Sequence, residues 1–284
     1  MYRPPTARPV SVRKTTAKGA ARLSDPEDIR RFWNEQAEAL GTDPRATTPD
    51  FWLREIEISN ISRVLEALAD ASRVLDIGCG NGYSTLRLAA QHPQLTIVGG
   101  DFAAAMIEQA EVNRREADPE VQERVQFVEM DVLSIGADGE FDVVVSDRCL
   151  INLPSWDLQQ TALEQIARAL KPGGTYVAVE NFLGSHENFN RQRVELGLEP
   201  IALRWHNTYL DEARFLSTLE AGFELSEISP ISSTYYLVTR LVYSKLCQLE
   251  GVEPAYDHPI YEIATQLPAL GDLGPVKMLV LKKR

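Results

Sequence analysis

Arg73-Val74-Leu75-Asp76-Ile77-Gly78-Cys79-Gly80-Asn81-Gly82-Tyr83-Ser84-Thr85 is the stretch whose reading decides the fold. The apolar run Val74 to Ile77 has the composition of a strand buried on both faces of a parallel sheet. Three glycines at alternate positions follow, Gly78, Gly80 and Gly82, where bare backbone can approach a ligand closely. From Tyr83 onward the pattern turns helical, with Leu86 and Ala90 expected on one face and Leu88 beside it. Strand, glycine loop and helix together open a nucleotide-binding α/β domain.

Asp76 narrows the ligand. A dinucleotide site brings a pyrophosphate to the helix N-terminus, and a carboxylate at the strand end repels phosphate while suiting an ammonium group. The glycine spacing is Gly-x-Gly-x-Gly, whereas the dinucleotide fingerprint is Gly-x-Gly-x-x-Gly. A cationic, nucleoside-like ligand without phosphate fits both features. S-adenosylmethionine is such a ligand.

Further elements follow in order. Leu95 to Asp101 is a second strand ending in an acid, and Val125 to Glu129 a third, followed by Met130-Asp131-Val132. Phe141 to Ser146 is a fourth, leading into Asp147-Arg148-Cys149. A helix from Trp156 to Leu170 is stopped by Lys171-Pro172-Gly173-Gly174, and Thr175 to Glu180 is a fifth strand. Val-Leu-Asp-Ile-Gly-Cys-Gly-Asn-Gly, the acid-ended second strand and the Lys-Pro-Gly-Gly turn together resemble the class I S-adenosylmethionine-dependent methyltransferases, closely over residues 73–180 and loosely elsewhere.

That resemblance implies a doubly wound, seven-stranded, mostly parallel sheet and S-adenosylmethionine as cofactor. It also implies cofactor contacts from Asp76, Gly78, Cys79, Gly80, Asn81 and Asp147. Asp101 is implied to accept both ribose hydroxyls, Phe102 and Met106 to flank the adenine, and Asp131 with the Val132 amide to meet its polar edge. Arg54 is expected to reach the cofactor carboxylate from the N-terminal helices.

The flanks are more individual. Met1 to Leu23 carries basic residues, no acid and no apolar core, so it reads as a disordered tail rather than a secretory signal. Ser24-Asp25-Pro26-Glu27 and Thr47-Thr48-Pro49-Asp50 are helix starts, and residues 24–70 are expected to form a helical lid. The methyltransferase domain then runs over 71–284. A helix from Gly184 to Leu198, another from Asp211 to Ala221, a sixth strand from Phe223 and a last, antiparallel strand from Val276 complete it. Residues 231–275 are too long for a loop and are expected to form a helical cap, with a helix from Thr234 to Leu249.

A net charge of −12 and an isoelectric point near 4.9 weigh against a broad nucleic-acid surface. The cysteines, three in number, are isolated, and the four histidines lack metal-ligand spacing. Reduced thiols point to the cytoplasm, and no apolar run is long enough for a membrane span. A small-molecule acceptor is therefore expected, without nucleic acid, metal or membrane; the alternative is an RNA or protein methyltransferase. His206, Glu180 and Asp147 are candidates for a base, and Arg148 for a catalytic or substrate contact. In the expected cap helix Tyr236, Arg240 and Tyr243 share one face at i, i+4, i+7. With Arg148 they suit an anionic or phenol-like small molecule.

Overall fold

The computed structural model describes residues 25–284, so the tail expected over residues 1–23 lies outside it, as does Ser24. Its centre is a seven-stranded sheet in the order β3-β2-β1-β4-β5-β7-β6. The strands are β1 (Arg73–Ile77), β2 (Thr96–Asp101), β3 (Val125–Glu129), β4 (Phe141–Asp147), β5 (Leu170–Asn181), β6 (Phe223–Ser229) and β7 (Val276–Lys283). The first five pair in parallel, while β7 runs antiparallel between β5 and β6. The sheet expected from the sequence is therefore the one observed.

Because side chains alternate across a strand, each face of the sheet builds its own core. Val143, Val145, Val177 and Val179 face α2 (Phe51–Leu65), α3 (Tyr83–Gln91) and the 231–275 segment, in one cluster with Leu53, Ile61, Leu65 and Tyr235. Leu75, Val144, Tyr176 and Ala178 face the opposite way, onto α6 (Trp156–Ala169) and α8 (Glu212–Leu219). Between them in the chain come α4 (Ala104–Glu116), α5 (Pro119–Arg124) and α7 (Leu183–Glu195).

Two local readings need correction. In α3 the buried residues are Thr85, Leu88 and Ala89, and Ala90 is exposed. The helix is rotated because the Thr85 hydroxyl donates to Asp76 at 2.5 Å, which fixes the face turned toward β1. The segment expected as one regular helix from Thr234 is instead α9 (Ser233–Tyr236), a π-helical turn over Leu237–Val242 and α10 (Tyr243–Glu250). A π-turn holds more residues than an α-turn, so positions after it fall behind the α spacing.

The N-terminal helices cross the carboxyl edge of the sheet. Helix α1 (Pro26–Leu40), capped by the Asp25 carboxylate, bonds to the segment beyond β2: Arg30 donates to the Phe102 carbonyl and Asn34 accepts from the Ala105 amide. Helix α2 starts at the Asp50 cap and reaches the 231–275 segment, where the Tyr235 hydroxyl donates to Asp50 at 2.5 Å. Helix α11 (Ile260–Thr265) packs on the same side.

Candidate functional site

Where β1 and β4 separate the two halves of the sheet, the carboxyl edge opens into a cavity of about 220 Å³. This is the position at which open α/β sheets bind ligands. One half of its wall comes from the glycine loop and the end of β2; the other comes from the ends of β4 and β5 and from segments beyond them.

On the first half, Gly78 and Gly80 adopt positive φ of 81° and 56°. A Cβ on Gly78 would stand 2.7 Å from the Cys149 side chain, and one on Gly80 would stand 2.5 Å from the Thr47 methyl. Both contacts are closer than real Cβ atoms tolerate, so glycine is required there for space as well as conformation. Asp101 at the end of β2 accepts from the Gly80 amide through one oxygen and the Ala103 amide through the other, each at 2.9 Å. Burial still pushes its carboxyl up to about 6, and that of Asp76 to about 7. Phe102 and Met106 line the same part of the cavity.

Other residues named from the sequence lie around this wall rather than in it. Cys79 packs its sulfur toward Gly99 beneath the loop, its amide bonded to the Gly100 carbonyl. Asn81 is buried and donates to the carbonyls of Gly41 and Asp43, at 3.1 and 2.9 Å, tying the α1–α2 connection to the glycine loop. Arg54 is buried behind that connection, donating to the Pro44 carbonyl and the Thr47 hydroxyl; burial lowers its pKa to about 10. Asp131 pairs with Arg30 at 3.6 Å and accepts from the Leu133 amide, and Val132 is a core residue. None of these five is among the cavity-lining residues.

On the second half, Asp147 ends β4 and Arg148 follows with φ of 53°, a left-handed conformation rare for a residue with a side chain. Arg148 donates to Glu57 of α2 at 3.0 Å and to the Thr48 hydroxyl at 3.4 Å, with Asp147 at 3.8 Å. Burial opposes the charge on Arg148, but Glu57 and Asp147 overrule it and hold its pKa above the ordinary value. Glu57 is 0% exposed, and burial raises its pKa well above normal against the pull of Arg148. Arg240 pairs with Asp50 and donates to the Tyr261 hydroxyl at 2.7 Å, its guanidinium over the rings of Tyr236, Tyr256 and Tyr261.

Tyr243 does not join Tyr236 and Arg240 at the cavity. The π-turn rotates it away, and it stacks on His258 at 4.5 Å. Glu180 also lies off the cavity, fully buried, accepting from the Ser146 hydroxyl at 2.9 Å and the Leu150 amide at 3.1 Å; burial raises its pKa to about 8. His206 does line the cavity. Its ring stacks on Phe32 at 4.5 Å, and burial, helped by Arg204, lowers its pKa to about 4.

Several lining or supporting residues escaped the sequence reading. Glu57 had a signal: it interrupts the apolar stripe Leu53, Ile61, Leu65 at helical spacing, and a carboxylate on an inward stripe requires a buried partner. Asn181, at the end of β5, could have been found as a polar residue at the ligand edge of the sheet. Asp50 read only as a cap, and Tyr209 and Tyr256 carried no local pattern.

Comparison with known proteins accords with this geometry. A family model described as a methyltransferase domain matches residues 74–174. The chain is 34% identical over 201 residues to the 27-O-demethylrifamycin SV methyltransferase of Amycolatopsis mediterranei, covering 67% of each. It is 28% identical over 230 residues to the O-methyltransferase resE of Aspergillus sclerotiorum, covering 78% of this chain and 80% of that one. Among solved structures, the [4+2]-cyclase SpnF matches with a TM-score of 0.62 at 20% identity, over 93% of this chain and 99% of its own. That last likeness is one of fold.

Proposed function

The chain belongs to the class I S-adenosylmethionine-dependent methyltransferases, and we propose that its methyl acceptor is a small organic molecule. The observation that carries this reading is the cavity beside the glycine loop, walled by side chains from both the N-terminal helices and the 231–275 segment. A cavity covered from both sides suits a compact acceptor better than an RNA or a folded protein.

The residues fit the cofactor. Bare glycine backbone at Gly78 and Gly80 gives room that any Cβ would fill, and Asp101 presents a carboxylate whose two oxygens match a vicinal diol. Phe102 and Met106 offer an apolar wall for the base, while Asp147, with one buried oxygen lacking a partner, faces the region between the two halves. Asp76 and Arg54 support this wall from behind. When bound, S-adenosylmethionine supplies a methyl group already activated on a sulfonium.

What remains for the protein is alignment and exclusion of water, and alignment is worth up to roughly 7–11 kcal/mol in favourable cases. A base is required only where the acceptor must lose a proton early. His206 Nδ1 and Asp147 Oδ1 are buried, unpartnered and on the cavity, so they are the groups positioned to take one. Glu180 is walled off from the acceptor, and its role in this reading is to hold the Leu150 turn under the floor.

The test is incorporation of label from methyl-labelled cofactor into a metabolite extract, total RNA and total protein in parallel. Label confined to the small-molecule fraction supports the reading. Label in RNA or protein moves the assignment to a macromolecular modifier.

A further inference from the structure

Each buried arginine at the acceptor half is already neutralised from within the chain. Glu57 holds Arg148 and Asp50 holds Arg240, while Asp101 and Asp147 add two more carboxylates to the cavity wall. The third arginine of the wall, Arg204, is exposed, with its charge in water at the mouth. An acidic acceptor would have to break one of two buried ion pairs to be recognised. The sequence-based expectation of an anionic substrate, built on Arg148 and Arg240, thus loses its footing.

The interior instead offers rings and unmet hydrogen-bond acceptors. Tyr209, Tyr236 and Tyr256 face the cavity together with Trp33. Asn181 is 4% exposed and lines the cavity, and its Oδ1 has no partner; His206, also 4% exposed, lacks one at Nδ1. A buried polar atom without a partner costs about 1–3 kcal/mol, and a carbonyl oxygen can be satisfied only by a donor. The burial-lowered pKa of His206 leaves its ring neutral.

Resting on the methyltransferase reading above, we propose that the acceptor is an uncharged aromatic hydroxyl compound, and that Asn181 Oδ1 selects it by accepting a hydrogen bond from a ring hydroxyl. The tyrosines stack on its ring, and the paired arginines stay paired. Asn181 is then a specificity determinant at the tip of β5, two residues past the register position where β5 meets Asp147.

The experiment is calorimetric binding to the enzyme saturated with S-adenosylhomocysteine, with orcinol, its dimethyl ether and 3,5-dihydroxybenzoate as probes. Orcinol is expected to bind at least tenfold tighter than its ether and no more weakly than the benzoate, and Asn181→Leu is expected to erase the gap between orcinol and ether. Asn181→Ser, which also removes the carbonyl oxygen, serves if the leucine variant does not fold. Equal binding of diol and ether, a tenfold preference for the benzoate, no binding of any probe, or a gap that survives both substitutions overturns the proposal. Tight S-adenosylhomocysteine binding in the same titrations leaves the methyltransferase reading intact, and its absence sinks that reading separately.

Discussion

The two halves of the cavity are built by different means. On the cofactor half, the groups that shape the wall are backbone: glycines without Cβ, and amides of Gly80 and Ala103 that hold Asp101 by 21 and 2 residues of separation. On the acceptor half they are side chains drawn from distant segments. Glu57 meets Arg148 across 91 residues, and Asp50 meets Arg240 across 190. A wall of backbone is specified locally and resists change, whereas a wall of matched charges depends on several segments arriving together.

The largest expected effect tests that dependence. Glu57→Gln leaves the Arg148 guanidinium without its carboxylate at a buried position, and losing one member of such a pair costs about 3–5 kcal/mol. Urea denaturation should show a loss of that order; a loss under about 1 kcal/mol would mean that the acceptor half is no more charge-dependent than the cofactor half.

Next in size is Asp101→Ala. Removing an ionised acceptor costs about 1.5–3 kcal/mol per bond, so S-adenosylhomocysteine should bind roughly 10- to 150-fold more weakly by calorimetry. Stability should change less than in Glu57→Gln. An unchanged affinity in a folded variant would take Asp101 out of the cofactor site.

Acidity gives a smaller, graded effect. Burial raises Asp76 to about 7 and Asp101 to about 6, so the ligand-free fold gains from protonating them. That gain is complete below about pH 4, near the unfolded-chain values, and is lost as pH rises through 6 to 7. Binding favours the ionised form of Asp101, so its sign is opposite: affinity for S-adenosylhomocysteine should rise about tenfold between pH 5.5 and 8, while the ligand-free protein loses stability over the same window. Parallel trends in the two measurements would contradict the assignment.

The smallest effect belongs to Tyr243→Phe. Its hydroxyl accepts a weak 3.4 Å bond from the Ala255 amide away from the cavity, so acceptor KM should stay within about twofold and stability within about 1 kcal/mol. Tyr236→Phe, at the cavity wall, should raise KM. A matching rise in Tyr243→Phe would restore the α-helical spacing in place of the π-turn.

The same division explains what the sequence made legible. The strands, the sheet order, the glycine loop and Asp101 follow from short runs in which each residue's role depends on its neighbours. Glu57 could be noticed as an acid on an apolar stripe, but its partner could not, because no local pattern joins α2 to the residue after β4. Tyr243 was misplaced for a narrower reason: Leu237–Val242 has an ordinary helical composition, and the wider turn is imposed by what packs around it, Arg240 among three tyrosines and Tyr235 bonded to Asp50.

That wider turn makes chain length itself a variable of selectivity. Deleting one residue between Leu237 and Val242 would restore the regular pitch and turn everything after it by about 100°, bringing Tyr243 toward the ligand and carrying its His258 contact away. No single substitution exchanges so many wall groups at once. In lineages that diverge by gain or loss of a codon here, acceptor preference would shift in steps, with the sheet and its glycine loop untouched.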